Sequence, residues 1–77
     1  MNDFKAMNKG SVVDEVLEQM MGKIVDGTWS QGDKIPSENE LRDMLGVSRD
    51  TVRQAIKRMC ALGLLESQQG RGTFVQN

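Results

Sequence analysis

The sequence predicts a mainly helical α+β fold in which three helices precede a C-terminal β-hairpin. Three observations support this prediction. Apolar residues recur at helical spacing in three segments, a glycine follows each segment, and two strand-like runs flank a glycine-rich turn near the end of the chain. With 77 residues, 38% of them apolar, the chain is expected to form one small domain with a thin core.

The first helix is expected to follow a polar segment, residues 1–10, that shows no periodicity and is predicted to be a flexible arm. Residues 11–77 form the predicted domain. Ser11 is a favourable N-cap, and Gly27 is placed to end the helix in a left-handed conformation. Its apolar stripe is favoured as core over a docking groove, and Trp29 in the following turn is expected to seal the core. The stripe comprises Val13, Val16, Leu17, Met20, Met21 and Ile24.

The second helix is predicted from a capping box, in which Ser37 is followed three residues later by Glu40. Before it, residues 34–36 are predicted to be a very short strand, because Pro36 biases Ile35 toward extended geometry. The apolar side of this helix comprises Leu41, Met44 and Leu45.

The third helix is predicted over residues 49–62, because only Val47 separates Gly46 from the next N-cap, Ser48, and Gly63 follows the apolar pattern. Its apolar arc comprises Val52, Ala55, Ile56, Met59 and Leu62. Two helices joined by a tight glycine turn are typical of a helix-turn-helix.

The hairpin is predicted from two strand-like runs, residues 64–68 and 73–76, joined by residues 69–72 with two glycines around an arginine. The complete order of elements is that of a winged helix-turn-helix.

Several classes of function are disfavoured by composition. The chain has no His or Tyr and one Cys, which removes histidine-based catalysis, Cys-His pairs and the usual zinc sites. An enzyme is therefore not expected, and neither is a metal or cofactor. A carboxylate-dependent enzyme remains as an alternative, although the length leaves little room for a cleft. The lone Cys60, with no membrane span or signal peptide, favours the cytoplasm.

Charge is divided unevenly along the chain. Residues 1–47 have nine acids and five bases, a net charge of −4, whereas residues 48–77 have two acids and five bases, a net charge of +3. The C-terminal part is therefore locally basic in a chain whose formal charge is −1. A polyanion bound there would be held by the placement of the bases and not by bulk charge.

The start of the third helix has the side chains expected of a helix that reads the major groove. An arginine fork matches guanine O6 and N7, and the hydroxyls of Ser48 and Thr51 suit a phosphate oxygen. The acid at this end, Asp50, would repel phosphate but can accept from cytosine N4. The alternative is that Arg49, Arg53 and Lys57 form an ordinary solvated face.

The predicted hairpin tip places one arginine, Arg71, between two glycines. The glycines let the backbone approach a groove closely, and a narrow minor groove attracts an arginine. The alternative is a plain hairpin with an incidental arginine.

Several motifs in order resemble the N-terminal domain of GntR-family bacterial transcription regulators, over about residues 12–76. They are Gly27-x-Trp29-x-x-Gly32-Asp33-Lys34-Ile35-Pro36-Ser37-Glu38-x-Glu40-Leu41, Leu45-Gly46-Val47-Ser48-Arg49-x-Thr51-Val52-Arg53-x-Ala55, Gly63-Leu64, and Gly70-x-Gly72-Thr73-Phe74-Val75. The resemblance implies DNA contacts by Ser48, Arg49, Thr51, Arg53, Gln69 and Gly70, and structural roles for Glu38 and Glu40. Asn39 stands where members often have Arg, and Asp50 where a small or neutral residue is common, so one phosphate contact and the operator preference are expected to differ.

The function expected from this resemblance is sequence-specific binding of double-stranded DNA by one domain of a metabolite-responsive regulator, a repressor. The resemblance also implies a homodimer on an inverted-repeat operator, and a C-terminal effector domain that this chain lacks. The third helix is expected in the major groove and residues 69–72 at the minor groove. The alternative is a winged-helix protein–protein interaction module. Predicted DNA-binding residues are Asn39, Ser48, Arg49, Asp50, Thr51, Arg53, Gln54, Lys57, Gln69, Gly70 and Arg71.

Overall fold

The computed structural model describes residues 11–76, so the predicted arm at residues 1–10 lies outside the described residues. The predicted fold is confirmed, because three helices precede a two-stranded antiparallel hairpin. The elements are α1 (Val12–Val25), α2 (Glu38–Leu45), α3 (Arg49–Ala61), β1 (Leu65–Gln68) and β2 (Gly72–Val75). Within the described part of the chain, none of the helices has the length and apolar character needed to cross a bilayer.

The predicted N-caps of the first two helices are confirmed. The Ser11 side chain accepts a hydrogen bond from the Asp14 N–H at 3.2 Å. In the capping box of α2, the Ser37 hydroxyl accepts from the Glu40 N–H at 3.1 Å, and the Glu40 carboxylate accepts from the Ser37 N–H at 2.8 Å. Each bond satisfies a backbone or side-chain group that the first turn of a helix would otherwise leave unpaired.

Removing the cap of α2 gives a direct test of this local account. Ser37→Ala is expected to lower the free energy of unfolding by about 1 kcal/mol, because the Glu40 N–H loses its acceptor. For a domain of this size, such a loss lowers the melting temperature by about 4–8 °C, which circular dichroism would measure. Ser67→Ala is the matched control, since Ser67 is exposed on β1 and its hydroxyl makes no hydrogen bond among the described residues. Equal melting temperatures for the two variants would show that the cap adds nothing to stability.

A tight turn joins α2 to α3. Gly46 ends α2 in the left-handed region, with φ of +69°, and its N–H donates to the Arg42 carbonyl at 2.9 Å. Two residues later, Ser48 caps α3 by accepting from the Thr51 N–H at 3.1 Å. Residues with a side chain rarely adopt this φ, so glycine is favoured where the chain turns from α2 to α3.

The core lies between α1, α3 and the base of the hairpin. Four of its residues come from α3, so the opposite side of that helix faces solvent. Trp29 is buried, as predicted. The buried side chains are Val16, Met20, Trp29, Ile35, Leu41, Val52, Ala55, Ile56, Met59, Leu65 and Val75.

Two predicted core residues are exposed instead. Leu62 is 62% exposed, because α3 ends at Ala61 and the chain turns away at Gly63 with φ of +80°. Met44 is 61% exposed, because Leu41 and Leu45 one turn apart already cover the core side of the eight-residue α2. The sequence prediction therefore assigned one residue too many to the core side of α2 and of α3.

The hairpin is tied to the body of the domain by the segment before α2. The strand predicted over residues 34–36 is reduced to a single antiparallel bridge between Lys34 and Phe74. The Ile35 N–H donates to the Thr73 carbonyl at 2.9 Å, on the opposite side of β2 from β1. Gly72 has φ of +127°, a backbone conformation that residues with a side chain rarely adopt, so glycine is favoured at this position.

Candidate nucleic-acid interface

The exposed side of α3 carries the charged residues that the sequence singles out. Val52, Ala55, Ile56 and Met59 are buried, whereas the remaining side of the helix is open to solvent. We refer to this surface as the outer face of α3, which comprises Arg49, Asp50, Arg53, Gln54 and Lys57. The structure thus places five of the predicted site residues on one face of one helix.

The N-terminus of α3 is held by a small hydroxyl network. Ser48 accepts from the Thr51 N–H and donates to the Thr51 Oγ1 at 2.9 Å. The Ser48 proton is therefore committed to Thr51, whereas the Thr51 hydroxyl keeps its own proton for an external acceptor. The first N–H groups of a helix lack intrahelical acceptors and favour an anion. Of the two predicted hydroxyls, Thr51 is thus the better phosphate donor.

Arginine and lysine side chains differ in whether an acid already neutralises them. Among residues 11–76, the bases without an ion-pair partner are Lys23, Lys34, Arg49, Lys57 and Arg71. Arg53 pairs with Glu38 at 3.4 Å, and Arg58 pairs with Asp14 of α1 at 2.7 Å. On the outer face and at the tip of the hairpin (residues 69–72), an incoming polyanion can therefore engage the unpaired bases without breaking an ion pair.

Asp50 is engaged within its own helix. Its carboxylate accepts from the Gln54 amide at 2.7 Å, one turn further along α3. One carboxylate oxygen and the Gln54 carbonyl remain as acceptors. The two predicted residues therefore present one hydrogen-bonded polar pair to solvent.

The wing tip lies beside the start of α2, across an open groove of about 390 Å³. Gly70 has φ of +77°, and the Arg71 N–H donates to the Gln68 carbonyl at 2.9 Å to close the turn. Gln69 and Arg71 are exposed at this tip. Arg71 shares the groove with Glu38, which lines its other wall. The last predicted residue, Asn39, is exposed in the first turn of α2, next to Glu38.

Glu38 is the site residue that sequence reasoning missed, since it was given a structural role at the helix start. Its carboxylate instead reaches Arg53, fifteen residues away in the chain. A local pattern does not reveal such a contact, because it depends on the angle between α2 and α3. Opposite charges on adjacent helices were the only available signal.

Groups suited to covalent or metal chemistry are scarce on this surface. Burial raises the pKa of the Cys60 thiol, which lies half-buried on α3, so little of the nucleophilic thiolate forms at neutral pH. Within residues 11–76, no three His, Cys, Asp or Glu residues are grouped closely enough to hold a metal ion.

Comparison with known families and relatives gives a consistent result. The model of bacterial regulatory proteins of the gntR family matches residues 12–75. The transcriptional regulator Mce2R of Mycobacterium tuberculosis is 42% identical over 71 residues, which are 92% of this chain and 30% of that protein. A probable fructoselysine utilization operon transcriptional repressor of Escherichia coli is 44% identical over 62 residues, 80% of this chain and 26% of that protein. The chain thus spans less than a third of the length of these relatives.

Solved structures share the fold. The DNA-binding domain of AraR in complex with operator ORX1 has a TM-score of 0.79 and 46% identity, covering 82% of this chain and 76% of that chain. YtrA of Sulfolobus acidocaldarius, a GntR-family transcription factor, has a TM-score of 0.76 and 32% identity, covering 86% of this chain and 56% of that chain.

Proposed function

The chain belongs to the GntR family of bacterial regulatory proteins, and we propose that it reads operator DNA with the outer face of α3 in the major groove and the wing tip at the minor groove. It is the DNA-binding domain of a transcription regulator and not an enzyme. The proposal that α3 enters the major groove rests on one observation. The face of α3 opposite the core presents the unpaired Arg49 and Lys57, on the helix that follows the tight turn at Gly46.

Base reading is assigned to the N-terminal half of α3. A single helix fits the major groove of B-DNA, and its first residues approach the base edges. Arg49 and Arg53 are one turn apart on the outer face, so both forks can address guanines in neighbouring base pairs. The joined Asp50 and Gln54 offer acceptors toward cytosine N4 or adenine N6.

Phosphate contacts position the helix. They are assigned to the Thr51 hydroxyl and the first N–H groups of α3, supported by Ser48 through the network described above. Contacts to the DNA backbones flanking the groove are also assigned to Lys57, two turns along α3, and to Asn39, at the start of α2, since both are exposed. At the wing, Gly70 permits close approach of its backbone, and Gln69 and Arg71 extend from the tip.

The relatives are longer than the sequence described, so the function of a whole regulator is proposed from the family. Residues 11–77 are assigned as the DNA-binding domain. The greater length of the relatives supports a further domain in the whole regulator, and the family resemblance implies that this domain binds a small metabolite and dimerises. A homodimer would place two copies of α3 on an inverted-repeat operator in the cytoplasm. Repression is the proposed outcome, since the similar E. coli protein is named a probable transcriptional repressor.

The salt dependence of DNA binding tests whether Arg71 at the wing tip contacts DNA. Arg71→Ala is expected to weaken binding to duplex DNA and to reduce the slope of log K against log salt by about one, because one positive charge is removed from the DNA interface. Fluorescence anisotropy with a labelled duplex at several salt concentrations measures both quantities. Lys23→Ala is the control, since Lys23 is an exposed base on α1, outside the outer face and the wing groove. The assignment of Arg71 fails if both variants keep the wild-type slope. Absence of salt-sensitive binding by the wild type would instead favour a protein-interaction module.

A further inference from the structure

We propose that Glu38 is a specificity-determining residue that holds the Arg53 guanidinium toward the bases and away from the phosphates. The inference rests on the proposed function, since it requires α3 to enter the major groove. The Arg53 Nη2 donates to the Glu38 Oε1 at 3.4 Å, and the two side chains are 47% and 37% exposed. The contact therefore lies at the surface and links the first residue of α2 to the outer face of α3.

The orientation of Glu38 differs from that of the other acid in the same turn. Glu40 bends back to its own N-cap and completes the capping box. Glu38 extends across to α3 and lines the groove that Lys34 and Arg71 also line. A carboxylate at the helix start interacts favourably with the helix dipole in any orientation. The dipole alone therefore does not account for its contact with Arg53.

An acid at this position is unfavourable for DNA binding in general, because it repels every phosphate that comes near. Its effect on Arg53 is selective. An unrestrained arginine can swing to any phosphate, which adds affinity without sequence information. When Glu38 holds one terminal nitrogen, the other donors of the guanidinium stay free for guanine O6 and N7. Specificity is a difference of affinities, and this contact lowers the affinity for wrong sequences more than for the right one.

Glu38→Gln is the direct test, because it removes the charge and keeps the shape of the side chain. Using the 77-residue chain, we expect the ratio of operator affinity to unrelated-duplex affinity to fall about tenfold. On the unrelated duplex, we expect the salt slope to steepen by about one, as Arg53 takes up a phosphate. Fluorescence anisotropy on two duplexes of equal length, at several salt concentrations, gives both values. A purely structural role for Glu38 would change the melting temperature without changing the affinity ratio.

Asp43→Asn is the matched control, since it also removes an acid from α2 and releases an arginine, Arg42, that is not on the outer face. It is expected to keep the wild-type affinity ratio. The proposal is overturned if Glu38→Gln keeps the same ratio as Asp43→Asn, or if it still lowers the ratio in an Arg53→Ala background. If the proposed function itself fails, Arg53→Ala alone leaves operator affinity unchanged. This result distinguishes failure of the proposed function from failure of the Glu38 proposal alone, and it also overturns the role of Glu38.

Discussion

Arg49→Ala is expected to weaken binding to a selected operator by about 1–3 kcal/mol, which is about 5- to 150-fold. Arg49 is the first residue of α3 and is exposed, with no ion-pair partner among residues 11–76. In the proposed complex, its guanidinium can therefore reach the base edges without first leaving a partner in the protein. Fluorescence anisotropy with an operator duplex and an unrelated duplex at one salt concentration measures the loss. The loss is expected to be larger on the operator, because a base contact carries sequence information.

The control is Arg58→Ala, which makes the same substitution on the same helix. Arg58 is bound to Asp14 at 2.7 Å and faces α1. An exposed ion pair contributes at most about 1 kcal/mol to stability, so this variant is expected to stay folded and to bind the operator normally. Equal losses for the two variants, or equal losses on both duplexes, would contradict base reading by Arg49.

Met59→Ala is expected to lower the free energy of unfolding by about 2–5 kcal/mol, the largest effect of any substitution considered. Met59 is fully buried on the core side of α3, where its removal leaves a cavity beneath the outer face. Small domains have little stability in reserve, so much of the population should be unfolded at room temperature. Urea denaturation followed by circular dichroism measures the change, and operator binding should fall with the folded fraction.

Met44→Ala makes the same chemical change at a residue that is 61% exposed. Its expected effect on the free energy of unfolding is within about 0.5 kcal/mol. Similar denaturation midpoints for the two methionine variants would contradict the placement of α3 against the core.

The charges explain how an acidic chain can carry a DNA-binding surface. The formal charge is −1, but its acids and bases are not distributed at random. Asp14 neutralises Arg58 on the side of α3 that faces α1, and Glu38 restrains Arg53 at the edge of the outer face. On the outer face and at the wing tip, Arg49, Lys57 and Arg71 have no ion-pair partner in the described part of the chain. In the proposed complex, these three bases would attract DNA to the outer face of α3 and the wing tip, which favours one orientation of the domain.

Local chemistry explains why most of the fold is predictable from sequence. Ser11, Ser37 and Ser48 each cap a helix through a bond that spans three residues, so the residues that form it are visible in the sequence. Gly27 and Gly46 adopt the positive φ that was expected where a helix ends. These signals depend on neighbours in the chain, and tertiary packing does not override them.

Tertiary geometry explains the features that could not be predicted from the sequence. Leu62 and Met44 fit the apolar period, but each lies at the margin of a short helix, where periodicity does not show how far the neighbouring element extends. The Glu38–Arg53 contact joins residues on different helices and depends on their crossing angle. The sequence therefore predicted which residues are exposed at the candidate site. The structure was needed to show which of their charges are already held in ion pairs or hydrogen bonds within the protein.

Selection from a random duplex pool tests the central claim most directly. Wild type and Arg49→Ala would be compared at one fixed salt concentration, with melting curves to show that both are folded. We expect the wild type to enrich a short DNA motif and Arg49→Ala to lose that enrichment. If the chain binds as a dimer, the motif should appear as two inverted half-sites. Equal and unenriched retention of DNA by both proteins would contradict base reading by α3.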